Sequence, residues 1–251
     1  FLPDSNRSIG LPYSSSTERG ELSESFGTLR YGDLLEVLLY DVRRTLNVGD
    51  LNSVFLDRIV ENWLLQRTAA KDTKHLVHVP SNPPGWTAGK WGEWYPDALN
   101  LETRQLTTQI AKPNWRHGWL DQHDRIMQGL SDMKHRNPLV ISGDLHATGV
   151  GKMFGSGNRI FADNPITTIL CGPIGTSEQG FPSNVRGIAA APSKILDFQE
   201  QIPPIEEHGF TIVDFERDRT SIKLFKWDVN SQPVSAIDSL EPYYSFELDR
   251  P

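Results

Sequence analysis

Apolar positions fall in short runs separated by polar, Gly- and Pro-rich stretches. Residues 34–42, LLEVLLYDV, are nearly continuously apolar and predict a buried strand. In residues 51–69, LNSVFLDRIVENWLLQRTA, Phe55, Ile59, Trp63 and Leu64 fall on a helical stripe, with Asn52 or Ser53 as the cap. HLVHVP (75–80) predicts a second buried strand, stopped by Ser81-Asn82-Pro83-Pro84. Residues 120–136 predict a helix carrying Ile126, Met127, Leu130 and Met133 on one side, and LVIS (139–142) a third buried strand. Further on, TTILCG (167–172), GFTIVDFE (209–216) and SIKLFKWDV (221–229) read as strands, the last two forming a hairpin through 217–220. The order β-α-β-loop-α-β, followed mainly by strands, predicts an α/β fold. Its sheet is parallel at the centre, with helices on its faces and antiparallel strands added. Residues 1–30 predict an irregular surface segment, and no clean boundary divides residues 31–251.

One stretch breaks this rhythm. Residues 81–119 hold five of the seven tryptophans, Trp86, Trp91, Trp94, Trp115 and Trp119. That enrichment argues against disorder. It leaves two readings of comparable weight, a satellite core under a long loop or an aromatic wall beside a pocket. Composition narrows the rest. Apolar residues at 37 % are enough for a core, and no run of 18 apolar residues exists to span a membrane. The formal charge of −7 excludes a generally basic nucleic-acid binder but leaves room for a local positive pocket. The single cysteine, Cys171, excludes internal disulfides and Cys-based zinc sites. The chain begins at Phe1 without a visible signal peptide, which reads as a processed product or a fragment.

The sharpest chemical feature is Gly143-Asp144-Leu145-His146, directly after the 139–142 strand. Ligands of open α/β sheets bind outside the carboxyl ends of strands. On an extended backbone, residues two apart point to the same side, so Asp144 and His146 form a ligand pair suited to Zn, Mn or Fe, with Gly143 allowing a turn. The alternatives are a chance match and a buried Asp–His hydrogen-bonded pair without metal. Asp41-Val42-Arg43-Arg44 also ends a strand. Arg43 or Arg44 is able to grip a phosphate or carboxylate, although on local pattern a structural salt bridge from Asp41 is preferred. His117, Asp121 and Asp124 have helical spacing, and read as a helix start rather than a ligand cluster. His78 reads as a core histidine, while His75, His135 and His208 read as solvated, and Glu206 and Glu207 as surface charge. GVGKMFGSGN (149–158) lacks phosphate-loop spacing, and no Gly-x-Ser-x-Gly is present.

Several segments, in order, resemble the PhoD-like alkaline phosphatase/phosphodiesterase family of the calcineurin-like metallophosphoesterases. They are SFGTLRYGDLLEVLLYDVRR (25–44), FLDRIVENWLLQRTAAKDTKHLVHVPS (55–81), WRHGWLDQHDRIMQGL (115–130), PLVISGDLHATG (138–149), ILCGPIGTSEQGFPS (169–183) and HGFTIVDF (208–215). The resemblance implies a calcineurin-like α/β sandwich with mixed sheets. It also implies phosphate-ester hydrolysis by metal-activated hydroxide with di- or trivalent ions such as Ca, Fe, Mn or Zn. Asp144 and His146 match the family's final metal-binding pair, and Arg43 matches the arginine of its Leu-Asp-x-Arg segment, a catalytic-site position facing substrate. The family's Gly-Asp-x-x-Tyr and Trp-Asp-Asp-His motifs are absent, and Ser81 or Asn82 stands where a histidine is expected. The resemblance, which covers most of residues 25–230, is therefore to the C-terminal part of such an enzyme, and implies that residues 31–251 are that part of the domain. An N-terminal segment or a second chain would complete the metal site, the substrate would be a phosphate ester, and export to the periplasm or the extracellular space is expected. The rival reading is a catalytically inactive domain that binds a ligand or partner through the Trp-rich loop.

Overall fold

The computed structural model describes residues 26–49, 52–175, 180 and 182–251. The expected irregular segment falls mostly on residues 1–25, outside the described residues. Its end, Phe26–Tyr31, is not irregular but an edge strand, β1. Leu35–Tyr40 is β2, His75–Pro80 β3, Leu139–Ser142 β4, Thr148–Ser156 β5, Ile166–Cys171 β6 and Leu196–Ile205 β7. They form one mixed sheet in the order β1-β2-β3-β4-β6-β5-β7. β2, β3, β4 and β6 run parallel, and β1, β5 and β7 join antiparallel. This is the α/β class expected, with a central mixed sheet.

Helices α1 (Arg58–Ala69) and α2 (His117–Ser131) cover one face. Leu38, Tyr40, Leu76 and Val140 of the sheet meet Trp63, Leu64, Ile126 and Leu130 of the helices there. The opposite face carries a second sheet of β8 (Gly209–Phe215), β9 (Arg219–Lys226) and β10 (Tyr244–Asp249). Val77, Leu139, Val150 and Ile169 pack on Ile222 and Leu224 between the sheets. Consecutive residues of β3 and β4 thus face opposite cores, so a run buried on both sides carries no polar alternation.

β2 departs from its expectation of full burial. The second sheet does not reach it completely, and Leu39 is 44 % exposed. α1 starts later than its apolar stripe predicted, because Asp57 rather than Asn52 or Ser53 caps it, accepting from Ile59 N. The preceding residues are drawn to α2 instead. The fully buried Gln122 accepts from Phe55 N and Leu56 N and donates to Leu56 O. Among the described residues, no helix is long and apolar enough to cross a membrane.

Candidate functional site

Because β2, β3 and β4 run parallel, their carboxyl ends share one rim of the sheet, and each delivers one polar residue there. Arg43 follows β2, Asn82 follows β3 and Asp144 follows β4. The ends of β2 and β3 are clamped together: Ser81 Oγ donates to Asp41 Oδ1 and accepts from Val42 N, while Asp41 Oδ1 also accepts from Arg43 N. Asp41 is therefore a turn-forming carboxylate with no ion pair among its described contacts. This sets the direction of Arg43, whose guanidinium donates to Asn82 Oδ1 at 2.9 Å and to Asp144 Oδ1. Asn82 is buried and orients itself by donating to Gly92 O.

The loop bearing Asp144 and His146 is not extended. Asp144 has φ 67° and His146 φ 48°, so the left-handed backbone falls on these two residues and not on Gly143. The alternation argument that put both side chains on one side therefore does not apply. Left-handed Asp and His are tolerated better than most residues, yet each costs on the order of 1–3 kcal/mol and persists only when surroundings impose it. The imposing contact is Leu145, fully buried among Trp86, Ala88, Ala147, Leu170 and Ala190.

Asp144 closes one side of a cleft of about 540 Å³, lined also by Arg43, Leu46, Asn82, Lys90, Trp91, Glu93 and Arg186. His146 is not among its lining residues. Lys90 Nζ lies 3.0 Å from Asp144 Oδ2, so both carboxylate oxygens are engaged by cations. Glu93 holds the Lys90 segment in place. Its buried carboxylate accepts from Thr87 Oγ1, Ala88 N and Lys90 N, and faces Lys112 Nζ at 3.7 Å. Burial, opposed by Glu93 and Asp97, lowers the Lys112 pKa to about 8. Arg186 ties the same segment down by donating to Ala88 O and Gly89 O. With Glu93 occupied by its own donors, the cleft presents Arg43, Lys90 and Arg186 against one further carboxylate. A chain of net charge −7 thus contains a locally positive cleft suited to an anion.

The donor set does not fit a metal centre. Among the described residues, no group of three or more His, Cys, Asp or Glu side chains is placed to hold a metal ion. Asp144, the one carboxylate expected as a ligand, is paired with two cations, beside which a metal ion would be repelled.

The other expectations divide. His117 and Asp121 form an exposed pair at 3.1 Å at the start of α2, whereas Asp124 turns to His123 and Ser156. Trp86, Trp94 and Trp119 are buried, which makes most of the tryptophan-rich stretch a satellite core, while Trp91 is 49 % exposed at the cleft. His78 is a core histidine, as expected, with burial driving its pKa down to about 3. His75 and His208 are buried rather than solvated: β9 covers His75, whose Nε2 contacts Glu216 O and Nδ1 contacts Thr220 Oγ1. Lys90, Glu93 and Arg186 escaped the sequence reading. Lys90 and Glu93 sit on a loop and Arg186 ends the four-residue helix Ser183–Arg186, none with a periodicity to read, and only the crowding of Gly89, Lys90 and Trp91 offered a signal.

No family model and no curated protein matches the sequence. The solved structure of PhoD is similar in fold, with a TM-score of 0.58 over 95 % of this chain at 12 % identity. The chain spans 44 % of the length of that PhoD chain. The likeness establishes a PhoD-like fold.

Proposed function

We propose that this chain belongs to a PhoD-like phosphoesterase and that its cleft takes the phosphate of the substrate ester. The observation that carries this reading is the meeting of Arg43 and Lys90 at Asp144, on the rim where three parallel strands end. A guanidinium and an ammonium held in fixed positions bind a phosphate through charge-assisted hydrogen bonds. Asn82 and Glu93 keep those two cations in place, so little ordering cost falls on the binding step. The anion displaces Asp144 from the cations, and Asp144 acts as the resident counter-charge.

Hydrolysis by metal-activated hydroxide, with Asp144 and His146 as the family's ligand pair, needs metal ligands beyond these two. Those would come from a further segment or a second chain. The misfit of the donor set favours a second reading for the chain by itself, that of a phosphate-binding domain without turnover. Calorimetric titration with inorganic phosphate tests the shared core of both readings. Binding by the wild type that falls about ten- to hundredfold in Arg43→Met is expected, from the loss of a charged hydrogen bond. Absence of phosphate binding in the wild type overturns the proposal.

A further inference from the structure

The cleft is far larger than a bare phosphate, and its volume of about 540 Å³ falls within the range of about 300–1,000 Å³ typical of clefts that hold a whole small molecule. Its charged lining residues are joined by large apolar ones. It is bounded by Leu46 and by Trp91, the residue directly after Lys90. Trp91 differs from the neighbouring tryptophans. Trp86, Trp94 and Trp119 are all buried to within 2 % exposure, whereas half of Trp91 is open. Its indole is nonetheless backed by a rigid aromatic stack. The Trp91 ring lies 6.4 Å from that of Trp119, which in turn stacks on Phe55 at 4.4 Å and 28°. Trp119 is fixed from below by its indole N–H, which donates to Asn47 O at 3.0 Å. The Lys90–Trp91 segment is fixed by Glu93 and Arg186. A flat apolar surface is thus held beside two phosphate-binding cations.

Resting on the phosphate reading above, we propose that Trp91 selects the alcohol portion of the ester and that the preferred substrates are phosphate esters of aromatic or heteroaromatic groups. The phosphate meets Arg43 and Lys90, and the ring lies on the indole of Trp91 with Leu46 at its edge. Stacking of this kind is worth about five- to hundredfold in affinity. Aliphatic polyol phosphates, whose hydroxyl groups would be desolvated against Trp91 and Leu46 without partners, bind more weakly.

The test is calorimetric titration of the 251-residue chain with inorganic phosphate, phenyl phosphate and glycerol 2-phosphate, in the wild type, Trp91→Ala and Trp91→Phe. The expected result is that phenyl phosphate binds about tenfold more tightly than glycerol 2-phosphate in the wild type. That ratio falls to near unity in Trp91→Ala and is largely restored in Trp91→Phe. If inorganic phosphate binds but the two esters bind equally, or if the preference survives in Trp91→Ala, the role of Trp91 is wrong while the phosphate site stands. If none of the three binds the wild type, the phosphate reading itself fails.

Discussion

Lys90 Nζ lies 3.0 Å from Asp144 Oδ2, although 54 residues separate the two. Lys90 sits in the tryptophan-rich loop and Asp144 at the end of a central strand, so the pair joins the satellite core to the sheet rim. Asp144 is 13 % exposed and Lys90 22 %, so water screens the pair only partly. The same carboxylate engages Arg43, which makes Asp144 a competitor for any anion entering the cleft. Asp144→Asn removes that competition without changing shape. It is expected to tighten inorganic phosphate binding several-fold, as read by calorimetry. Weakened phosphate binding in a folded Asp144→Asn protein would show that the carboxylate serves the ligand by another route.

Metal dependence separates the cleft from a metal-built site. Since Arg43 and Lys90 supply the positive charge, dialysis against a chelator is expected to leave phosphate affinity unchanged. Elemental mass spectrometry on the dialysed protein is expected to find no stoichiometric di- or trivalent ion. Two bound ions per chain would mean that ligands outside the described residues complete a centre with Asp144 and His146.

Glu93 is the buried anchor of the Lys90 segment. Glu93→Ala leaves Lys112, itself 2 % exposed in its side chain, without its facing carboxylate. Breaking a buried pair in this way costs about 3–5 kcal/mol, measurable by urea unfolding. The freed loop no longer holds Lys90 at Asp144, so phosphate affinity falls together with stability. Unchanged phosphate affinity in the folded fraction would separate the anchor from the site.

The frame of this fold is legible in the chain because the parallel strands are buried on both faces. LVIS and HLVHVP need no alternation to be read as strands, and both lie where expected, at Leu139–Ser142 and His75–Pro80. Burial likewise made His78 readable as a core residue. The site was legible only in part. Arg43 and Asp144 ended recognisable strands and could be found by that rule. Lys90 lies on a loop placed by Glu93, and Arg186, at the end of the short helix Ser183–Arg186, is placed by backbone carbonyls far away in sequence, which no local pattern encodes. The relation of Asp144 to His146 was misjudged because the strand stops at Ser142 and the backbone turns left-handed. A single buried leucine between them imposes that turn, and its burial is a tertiary fact.

Leu145 therefore links packing to the site. Leu145→Ala opens a cavity in the cluster with Trp86 and Leu170 and costs about 2–5 kcal/mol, whereas the volume-conserving Leu145→Met costs less than about 1.5 kcal/mol. The alanine variant also relaxes the left-handed Asp144, so the ion pair with Lys90 loosens. Chemical unfolding of the two variants, read beside their phosphate affinities, is expected to show stability falling and phosphate binding tightening in the alanine variant, where Asp144 competes less for Lys90, and neither changing far in the methionine variant.

The buried histidine makes stability depend on pH in a window away from the site. The Thr68 hydroxyl donates to Leu64 O at 2.7 Å, so its oxygen accepts from His78 Nε2–H at 2.9 Å. Nδ1 of His78 is then the acceptor for the Tyr40 hydroxyl at 3.1 Å. The Tyr40 contact therefore requires the neutral ring, and burial, followed by the nearby Arg136 charge, lowers the His78 pKa from 6.5 to about 3. Between these values the unfolded chain binds the proton and the folded chain does not. Stability is therefore complete above about pH 6.5 and declines on acidification, with a limiting slope of about 1.4 kcal/mol per pH unit. Asp72, which burial would raise but which Arg30 and Arg67 hold down to about 2, adds its own loss only at lower pH. Urea unfolding between pH 6.5 and pH 4.5 therefore separates the histidines from Asp72, and a variant assigns the share of His78. His78→Gln keeps a polar side chain at the position, is less stable throughout, and is expected to show a flatter dependence over that range. An unchanged slope in this variant would place the protonation on another group, with His75 and His135, whose pKa values are also lowered by burial, the next to be replaced.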